Sequence, residues 1–216
     1  MNIFKQIVLI ALIIAINISL YGQSKIIIEG AQIYSTFKFI DANGNYLSNE
    51  YLGKFTNAYN IGYSYKFDFG LFVRPAIGMR NTGAEMVYDN MNYSWQLQYA
   101  SAKLGIGYMF DFEKVKPYLM ISGYFAYLVN GNQIVNNEHF NIIQNNLLKT
   151  IDYGIIASPG LEVKISNEIS TYFEFDYLMG LNNIEINQSQ KTTNISYCLT
   201  LGLSFALTNE STLRKR

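Results

Sequence analysis

The chain has 216 residues, half of them apolar or aromatic, and its 15% of charged residues is well below the roughly one quarter usual in soluble domains. Sixteen basic and sixteen acidic side chains balance, which argues against nucleic-acid partners. The single cysteine, Cys198, excludes an intramolecular disulfide framework and any cysteine-rich metal site. The length fits one domain, and the shortage of charge indicates that part of its surface does not meet water.

The N-terminus has the pattern of an export signal. Lys5 precedes an apolar run over residues 7–16, and a more polar stretch follows. The run is shorter than the roughly 20 residues that a membrane-spanning helix needs. We therefore predict a signal peptide over residues 1–23 rather than an anchor helix, a barrel domain over 24–207 and a short periplasmic tail over 208–216.

After the signal peptide, apolar residues recur at every second position, which is the period of a β-strand. Residues 59–67, for example, alternate tyrosine, isoleucine and phenylalanine with small or polar residues. Most of the alternating segments reach the roughly 9 to 11 residues that a tilted strand needs to cross a bilayer. The eight segments cover about 26–40, 58–68, 71–81, 95–110, 115–129, 151–165, 169–181 and 193–206.

The predicted connections alternate between short and long. Tight periplasmic turns and long external loops are typical of outer-membrane barrels. The sequence therefore predicts an all-β fold, a closed antiparallel up-and-down transmembrane β-barrel of about eight strands, preceded by a signal peptide and with both termini periplasmic. The short connections are 68–70, 111–114 and 166–168, and the long ones are 41–57, 82–94, 130–150 and 182–192.

A soluble barrel such as a lipocalin, or the core of a β-sandwich, would show similar alternation. Here, however, the charged side chains share a strand face with glycines, and bulky aromatics lie on the other face. We therefore expect glycine and serine, rather than large rings, to line a narrow lumen. The glycines are Gly62, Gly78, Gly105, Gly107, Gly180 and Gly202.

The aromatic residues are expected to face lipid in two interfacial girdles. Pro75 and Pro159 lack a ladder donor inside predicted strands, so a local bulge is expected at each. The girdle residues are Phe67, Phe69, Tyr108, Phe110 and Phe205 near the short turns, and Phe39, Tyr59, Tyr127 and Tyr153 near the long loops.

Nine charged residues are predicted to point inward. Buried charges require partners, so we expect a structural network that stiffens the barrel and blocks free passage, with a selective pore as the alternative. The predicted centre of this network is Arg74, Lys103, Glu174 and Asp176. The full inward set is Lys38, Lys66, Arg74, Arg80, Lys103, Lys164, Glu162, Glu174 and Asp176.

The single histidine, His139, lies in the predicted loop 130–150, with Glu138 and Asp152 near it in sequence. Histidine is the commonest general base at neutral pH, which keeps a hydrolase at the loop rim as an alternative. A lone loop histidine is more often a solvated surface residue. Since the sequence contains no metal-ligand cluster, phosphate loop or nucleophile elbow, we predict no catalytic, cofactor-binding or metal site.

Four short motifs in order resemble the outer-membrane β-barrel domain family common in Bacteroidetes, described as porin-like or PorT-like. They are VRPAI at 73–77, KPYL at 116–119, GLE at 160–162 and GLNNI at 180–184. The likeness covers about residues 25–207. It implies the barrel fold and the outer membrane of a Gram-negative cell, and it carries over no catalytic residue.

The expected function is therefore that of an integral outer-membrane β-barrel protein, non-enzymatic, with a side-chain-filled lumen and a structural or loop-mediated interaction role. Its expected partners are outer-membrane lipid and, through the long loops, extracellular ligands, with no nucleic acid. A narrow porin-like channel for small solutes and a barrel enzyme, either lipid-modifying or a protease, are the alternatives. The oligomeric state is left open.

Overall fold

The computed structural model describes residues 22–47, 50–186 and 189–207. The predicted tail and residues 1–21 of the predicted signal peptide lie outside this part, and the first strand begins at Gly22. No helix in the described ranges is long and apolar enough to cross a membrane. The strands are β1 Gly22–Ile40, β2 Tyr51–Phe67, β3 Leu71–Tyr88, β4 Met91–Met109, β5 Val115–Val135, β6 Glu138–Asn141, β7 Ile151–Lys164, β8 Ile169–Gly180 and β9 Lys191–Ala206.

Eight of these strands form a closed ring in the order β1, β2, β3, β4, β5, β7, β8, β9, and each pair of neighbours is antiparallel. The first and last strands close the ring over a register that runs from Lys25 opposite Ala206 to Ile40 opposite Lys191. The short β6 lies outside the ring and pairs with the far end of β5. The predicted closed up-and-down barrel is confirmed, with β6 as an additional hairpin strand.

The outward face of the ring strands carries a continuous apolar belt, which we define as the exposed apolar side chains on that face. In β3, for example, the exposed Ile77 and Pro75 alternate with the buried Arg74 and Ala76. Eight of the nine predicted girdle residues lie on the outward face or at the turns. Phe39 is the exception, because it lies on the same strand face as the buried Phe37 and packs on Tyr51, with ring centroids 5.5 Å apart.

The lumen contains the predicted glycines, but the expectation that large rings avoid it is wrong. Tyr118 and Tyr172 are buried inside the barrel. A methyl group at Gly202 would lie 2.1 Å from the ring of Tyr172, and one at Gly160 would lie 2.4 Å from the ring of Tyr118. In so narrow a barrel, a ring fits where the facing strand has no side chain, so Gly202 and Gly160 each make room for an inward tyrosine.

Neither proline produces a bulge, which corrects that expectation. Pro75 stays in register with Leu104 of β4, and Pro159 stays in register with Leu119 of β5. The ladder is interrupted on one side of each proline without a change of register. A missing N–H costs one ladder bond toward one neighbour and leaves the pairing with the other neighbour intact.

The barrel wall is taller on one side than the sequence predicts. Residues 82–94 are not a loop, because β3 and β4 continue to a two-residue turn at Asp89 and Asn90, whose φ angles are 50° and 58°. Positive φ at both positions is what type I′ hairpin turns require. Above the apolar belt the alternation continues with its faces exchanged, because Met91, Tyr93 and Trp95 share the inward face of Leu97. The outward apolar pattern therefore stops although the strands continue.

Candidate functional site

The middle of the lumen is crossed by an ion pair between Arg74 of β3 and Glu174 of β8. Both side chains are buried, with 2% and 0% exposed. The hydroxyl of Tyr118 donates to Glu174 Oε1 at 2.6 Å. The Arg74 guanidinium also lies over the rings of Tyr172 and Phe72, at 4.7 and 5.2 Å from their centroids. One cation is thus held by a carboxylate and by aromatic faces, which is favourable where water is excluded.

A second pair joins Lys103 of β4 to Glu29 of β1. The Glu29 carboxylate also accepts from the Tyr172 hydroxyl at 2.7 Å and from Asn60 Nδ2 at 2.9 Å. Because Tyr172 contacts Arg74 through its ring and Glu29 through its hydroxyl, it links the two pairs. The structure thus brings Arg74, Lys103 and Glu174 together in the lumen, with Glu29 as the acidic partner of Lys103.

Asp176 is placed differently from the prediction. Its carboxylate accepts from the Thr200 hydroxyl at 2.6 Å, and no basic side chain of the described part forms an ion pair with it. It lines a small cavity of about 50 Å³ that Lys103 and Arg80 also border. Asp176 therefore lies in the lumen near the other predicted residues, but its hydrogen-bond donor is a hydroxyl group and not a cationic side chain.

A third layer lies toward the loop end of the barrel. Arg80 of β3 and Asp152 of β7 form a buried ion pair of 2.9 Å. The same carboxylate oxygen accepts from the Tyr124 hydroxyl at 3.1 Å and from Asn194 Nδ2 at 3.0 Å. Arg80 also lies over the Tyr124 ring at 4.5 Å. This layer repeats the arrangement of the first, with an arginine held by one carboxylate and a neighbouring tyrosine.

At the turn end, Lys25 pairs with Glu162 at 2.5 Å, and Lys66 pairs with Asp111 at 2.6 Å. Lys116 lies 3.4 Å from the same Asp111 carboxylate. Partial burial raises the pKa of Asp111, but the hydrogen bond and charge of Lys66 and the charge of Lys116 outweigh it and hold that pKa below its ordinary value. We call these ion pairs of Lys25, Lys66 and Lys116 the charged clamps, and they close the end of the barrel at which the short turns lie.

The loop end is closed by apolar side chains. Ile142 and Leu148 from the segment after β6, and Ile184 from the segment after β8, are buried against Leu97 and Leu128 of the barrel wall. We call this cluster the loop plug. The loops therefore fold back into the barrel mouth.

Beside the loop plug, Glu185 accepts from the Thr192 hydroxyl at 2.6 Å. Burial raises its pKa above the ordinary value, although Thr192 and the charge of Lys149 act in the opposite direction.

Sequence reasoning missed Glu29 and Asp152 and misplaced Lys38. Lys38 is exposed and lies over the ring of Tyr46 at 5.5 Å. The alternation of strand faces could have identified both acids as inward residues. Glu29 is next to the outward Ile28, and Asp152 is next to the outward Tyr153. The other eight residues of the predicted inward set do lie on the inward strand faces.

The residues of the alternative enzyme site are not brought together. His139 is exposed on β6, opposite Ile134 of β5. The Asp152 carboxylate is buried in the lumen and is bound by Arg80. Among the described residues, no group of three histidine, cysteine, aspartate or glutamate side chains is placed to hold a metal ion.

No protein-family model matches the chain, and no curated protein matches it. The outer membrane protein OprG of Pseudomonas aeruginosa is a similar solved structure, with 9% identity and a TM-score of 0.55 over 87% of this chain and 97% of that one. Neisserial surface protein A has 13% identity and a TM-score of 0.49 over 84% and 96%. Ail of Yersinia pestis, solved with the heparin analogue sucrose octasulfate, has 15% identity and a TM-score of 0.43 over 87% and 100%. At such identities the likeness to OprG shows a shared barrel fold.

Proposed function

We propose that the chain is an integral outer-membrane β-barrel protein, non-enzymatic, with a structural or loop-mediated interaction role. The apolar belt supports the membrane placement, since a soluble barrel would expose charged side chains there. The closed ring is the form a strand protein needs in lipid, where each unpaired backbone group costs several kcal/mol. Within this proposal lipid is one partner, and extracellular ligands are reached through the loops.

The filled lumen is the observation that carries the non-channel part of the proposal. Arg74 and Glu174 meet across the barrel, and aromatic rings occupy the space around them. The charged clamps and the loop plug lie at the two ends of the same lumen. A solute would have to break buried ion pairs to pass, which is costly because each leaves an uncompensated charge.

Orientation and family are part of the same proposal. The connections 68–70, 110–114 and 165–168 lie at one end of the barrel, together with the two ring termini near Lys25 and Ala206. The long segments 142–150 and 181–190 lie at the other end, with the two-residue turn between β3 and β4. Short turns at one end and long loops at the other are typical of outer-membrane barrels with a periplasmic turn end, which supports a periplasmic position for both termini. The ordered motifs described above support membership of the Bacteroidetes porin-like family. The isolation of His139 from Asp152 supports a non-enzymatic role.

Single-channel recording in planar bilayers tests the proposal with the full-length protein purified from outer membranes. The native barrel is expected to be silent. The double variant Arg74→Ala with Glu174→Ala removes the central pair without leaving a lone charge, and it is expected to conduct more than the native protein. Heat-dependent gel mobility verifies that both proteins are folded. Steady discrete openings of the native barrel would replace the proposal by the narrow porin-like channel.

A further inference from the structure

On four consecutive strands, a side-chain amide interrupts the outward apolar residues at the same level. The amides are Asn57 in β2, below the outward Phe55, Asn81 in β3, Gln98 in β4 and Asn130 in β5. Asn81 lies opposite Gln98, and Gln98 lies opposite Asn130. Asn81 Nδ2 donates to Asn57 Oδ1 at 2.6 Å. Residues opposite each other in neighbouring strands share a face, so the four amides form one row along the border of the apolar belt.

A groove opens beside this row. The pairing of β2 with β3 changes register between Gly53 and Ala58. The groove there extends from β2 to β5 and has a volume of about 230 Å³. We call it the amide groove, and its polar lining includes Asn81, Gln96, Gln98, Asn130, Asn132 and Lys54.

Most of the amides in the groove are free to bind. Within residues 22–47, 50–186 and 189–207, the side chains of Gln96, Gln98, Asn130 and Asn132 make no hydrogen bond. Each amide offers a carbonyl acceptor and two N–H donors. Sugar hydroxyls likewise both donate and accept, so a cluster of amides matches a polyhydroxylated ligand.

The charge of the groove favours a neutral ligand. Its one basic side chain, Lys54, donates to Ser94 Oγ at 2.7 Å and lies 3.3 Å from Glu85 Oε1. The cation is therefore already compensated. Phosphate recognition would call for arginine or unpaired lysine side chains, which do not line this groove.

An exposed aromatic residue is adjacent in the chain to the two residues of β2 that line the groove. Phe55 lies in the chain between the groove-lining Lys54 and Thr56, and 73% of it is exposed. Its ring packs beside that of Tyr34, with centroids 5.2 Å apart. A large exposed ring next to hydrogen-bonding groups provides a flat apolar surface on which the C–H face of a sugar can rest.

The groove is one-sided. Gln32 of β1 lies opposite Asn57, but its partner on β9 is Leu199, and the partner of Leu199 on β8 is Phe175. The amides are therefore confined to the tall side of the wall. Directly below them the outward face is apolar, with Met79 as the next outward residue of β3. A ligand that fits both surfaces has a polar head and a hydrocarbon tail.

We propose that the amide groove binds the sugar headgroup of a glycolipid of the outer leaflet, whose acyl chains lie against the apolar belt of β2 to β5. The inference rests on the proposed membrane placement. It predicts that the groove binds headgroups with sugar hydroxyls in preference to headgroups with phosphate. The predicted ligand binds on the outer face of the barrel and does not enter the lumen.

The test uses the full-length protein in phosphatidylcholine nanodiscs that contain either digalactosyl diacylglycerol, as a neutral glycolipid probe, or phosphatidylglycerol. Native mass spectrometry measures which lipid stays bound, and NMR follows the side-chain amide signals of Gln98 and Asn130. The glycolipid is expected to be retained over both phospholipids and to shift those signals. The double variant Gln98→Leu with Asn130→Leu is expected to lose about tenfold in retention, as the loss of two hydrogen bonds implies.

Gln144→Leu is the matched control, because Gln144 is an exposed amide outside the groove. This variant is expected to retain the glycolipid as the native protein does. Equal retention of all three lipids, a preference for phosphatidylglycerol, or unchanged retention in the double variant would each overturn the inference. Heat-dependent gel mobility and membrane fractionation are read in parallel. A folded barrel in the outer membrane without glycolipid preference refutes the groove alone, whereas failure to reach the outer membrane refutes the proposed location.

Discussion

The two ends of the lumen are closed by different kinds of interaction, ion pairs at one end and apolar packing at the other. From the turn end to the middle, paired charges such as Arg74 and Glu174 span the barrel between tyrosine rings. At the loop end, Ile142 and Ile184 plug the mouth by apolar packing. Ion pairs fix geometry and tolerate no unpaired partner, whereas apolar packing depends on volume. We therefore expect substitutions at the two ends to fail in different ways.

The largest effect is expected from Glu174→Lys. The variant places a lysine beside Arg74 and removes the acceptor of the Tyr118 hydroxyl. Leaving a buried charge without its partner costs about 3–5 kcal/mol. Urea unfolding in detergent, followed by heat-dependent gel mobility, should show a much less stable barrel. Glu113→Lys makes the same charge change at an exposed turn residue and should be close to neutral. A native-like Glu174→Lys protein would show that the central pair does not hold the barrel.

Ile184→Ala tests the loop end. Ile184 is fully buried in the loop plug, and truncating such a side chain costs about 2–5 kcal/mol. The loss should appear as protease sensitivity of the loop between β8 and β9 while the barrel keeps its heat-dependent mobility. Ile186→Ala is the control, because Ile186 is in the same loop and 45% exposed. Equal protease sensitivity of the two variants would mean that the plug does not order the loop.

A smaller effect is expected where glycine and aromatic residues interlock in the lumen. In Gly202→Ala the added methyl group would lie 2.1 Å from the ring of Tyr172. Overpacking of this kind costs about 1–3 kcal/mol, which should lower the urea midpoint. Gly123→Ala provides the comparison, since a methyl group there meets no atom within 4 Å. If both variants unfold at the native urea midpoint, the ring of Tyr172 can move away from an added methyl group without cost, and the close packing of Gly202 against Tyr172 does not stabilise the barrel.

The two ends should also respond oppositely to pH, as the smallest effect. The lowered pKa of Asp111 means that its contribution is present above the pKa of an unfolded aspartate and is lost as pH falls through the folded value. The raised pKa of Glu185 means that its contribution is present below the pKa of an unfolded glutamate and is lost as pH rises through the folded value. Carboxyl-carbon NMR titration measures both.

Lys66→Met should move the titration of Asp111 upward, because it removes the hydrogen-bonding cation. The same variant should leave Glu185 unchanged, since Lys66 is not among the groups that shift its pKa. Parallel shifts of the two carboxylates would indicate a change of the whole barrel rather than a local clamp.

Periodicity and charge content are sufficient to predict the ring strands and most of the inward residues. A period of two assigns each side chain to one of two faces, and a shortage of charge on one face identifies the solvent that this face meets. That logic placed Arg74, Lys103, Glu174 and Asp176 inside the barrel before any contact was known. It failed above the apolar belt, where the apolar residues of β4 lie on the inward face and the strands continue through residues that the sequence predicts as the loop 82–94.

The partner of each inward charged residue could not be predicted in the same way. Glu29 and Lys103 are 74 residues apart in the chain, and Arg74 and Glu174 are 100 apart, so their pairing depends on the register of every strand between them. The loop plug likewise forms because Ile142 and Ile184 reach the same barrel mouth from different loops. The face on which a side chain lies follows from its position in the alternating pattern of one strand, which the sequence contains. The register between strands, and the loops that pack into the barrel mouth, depend on how the whole ring closes.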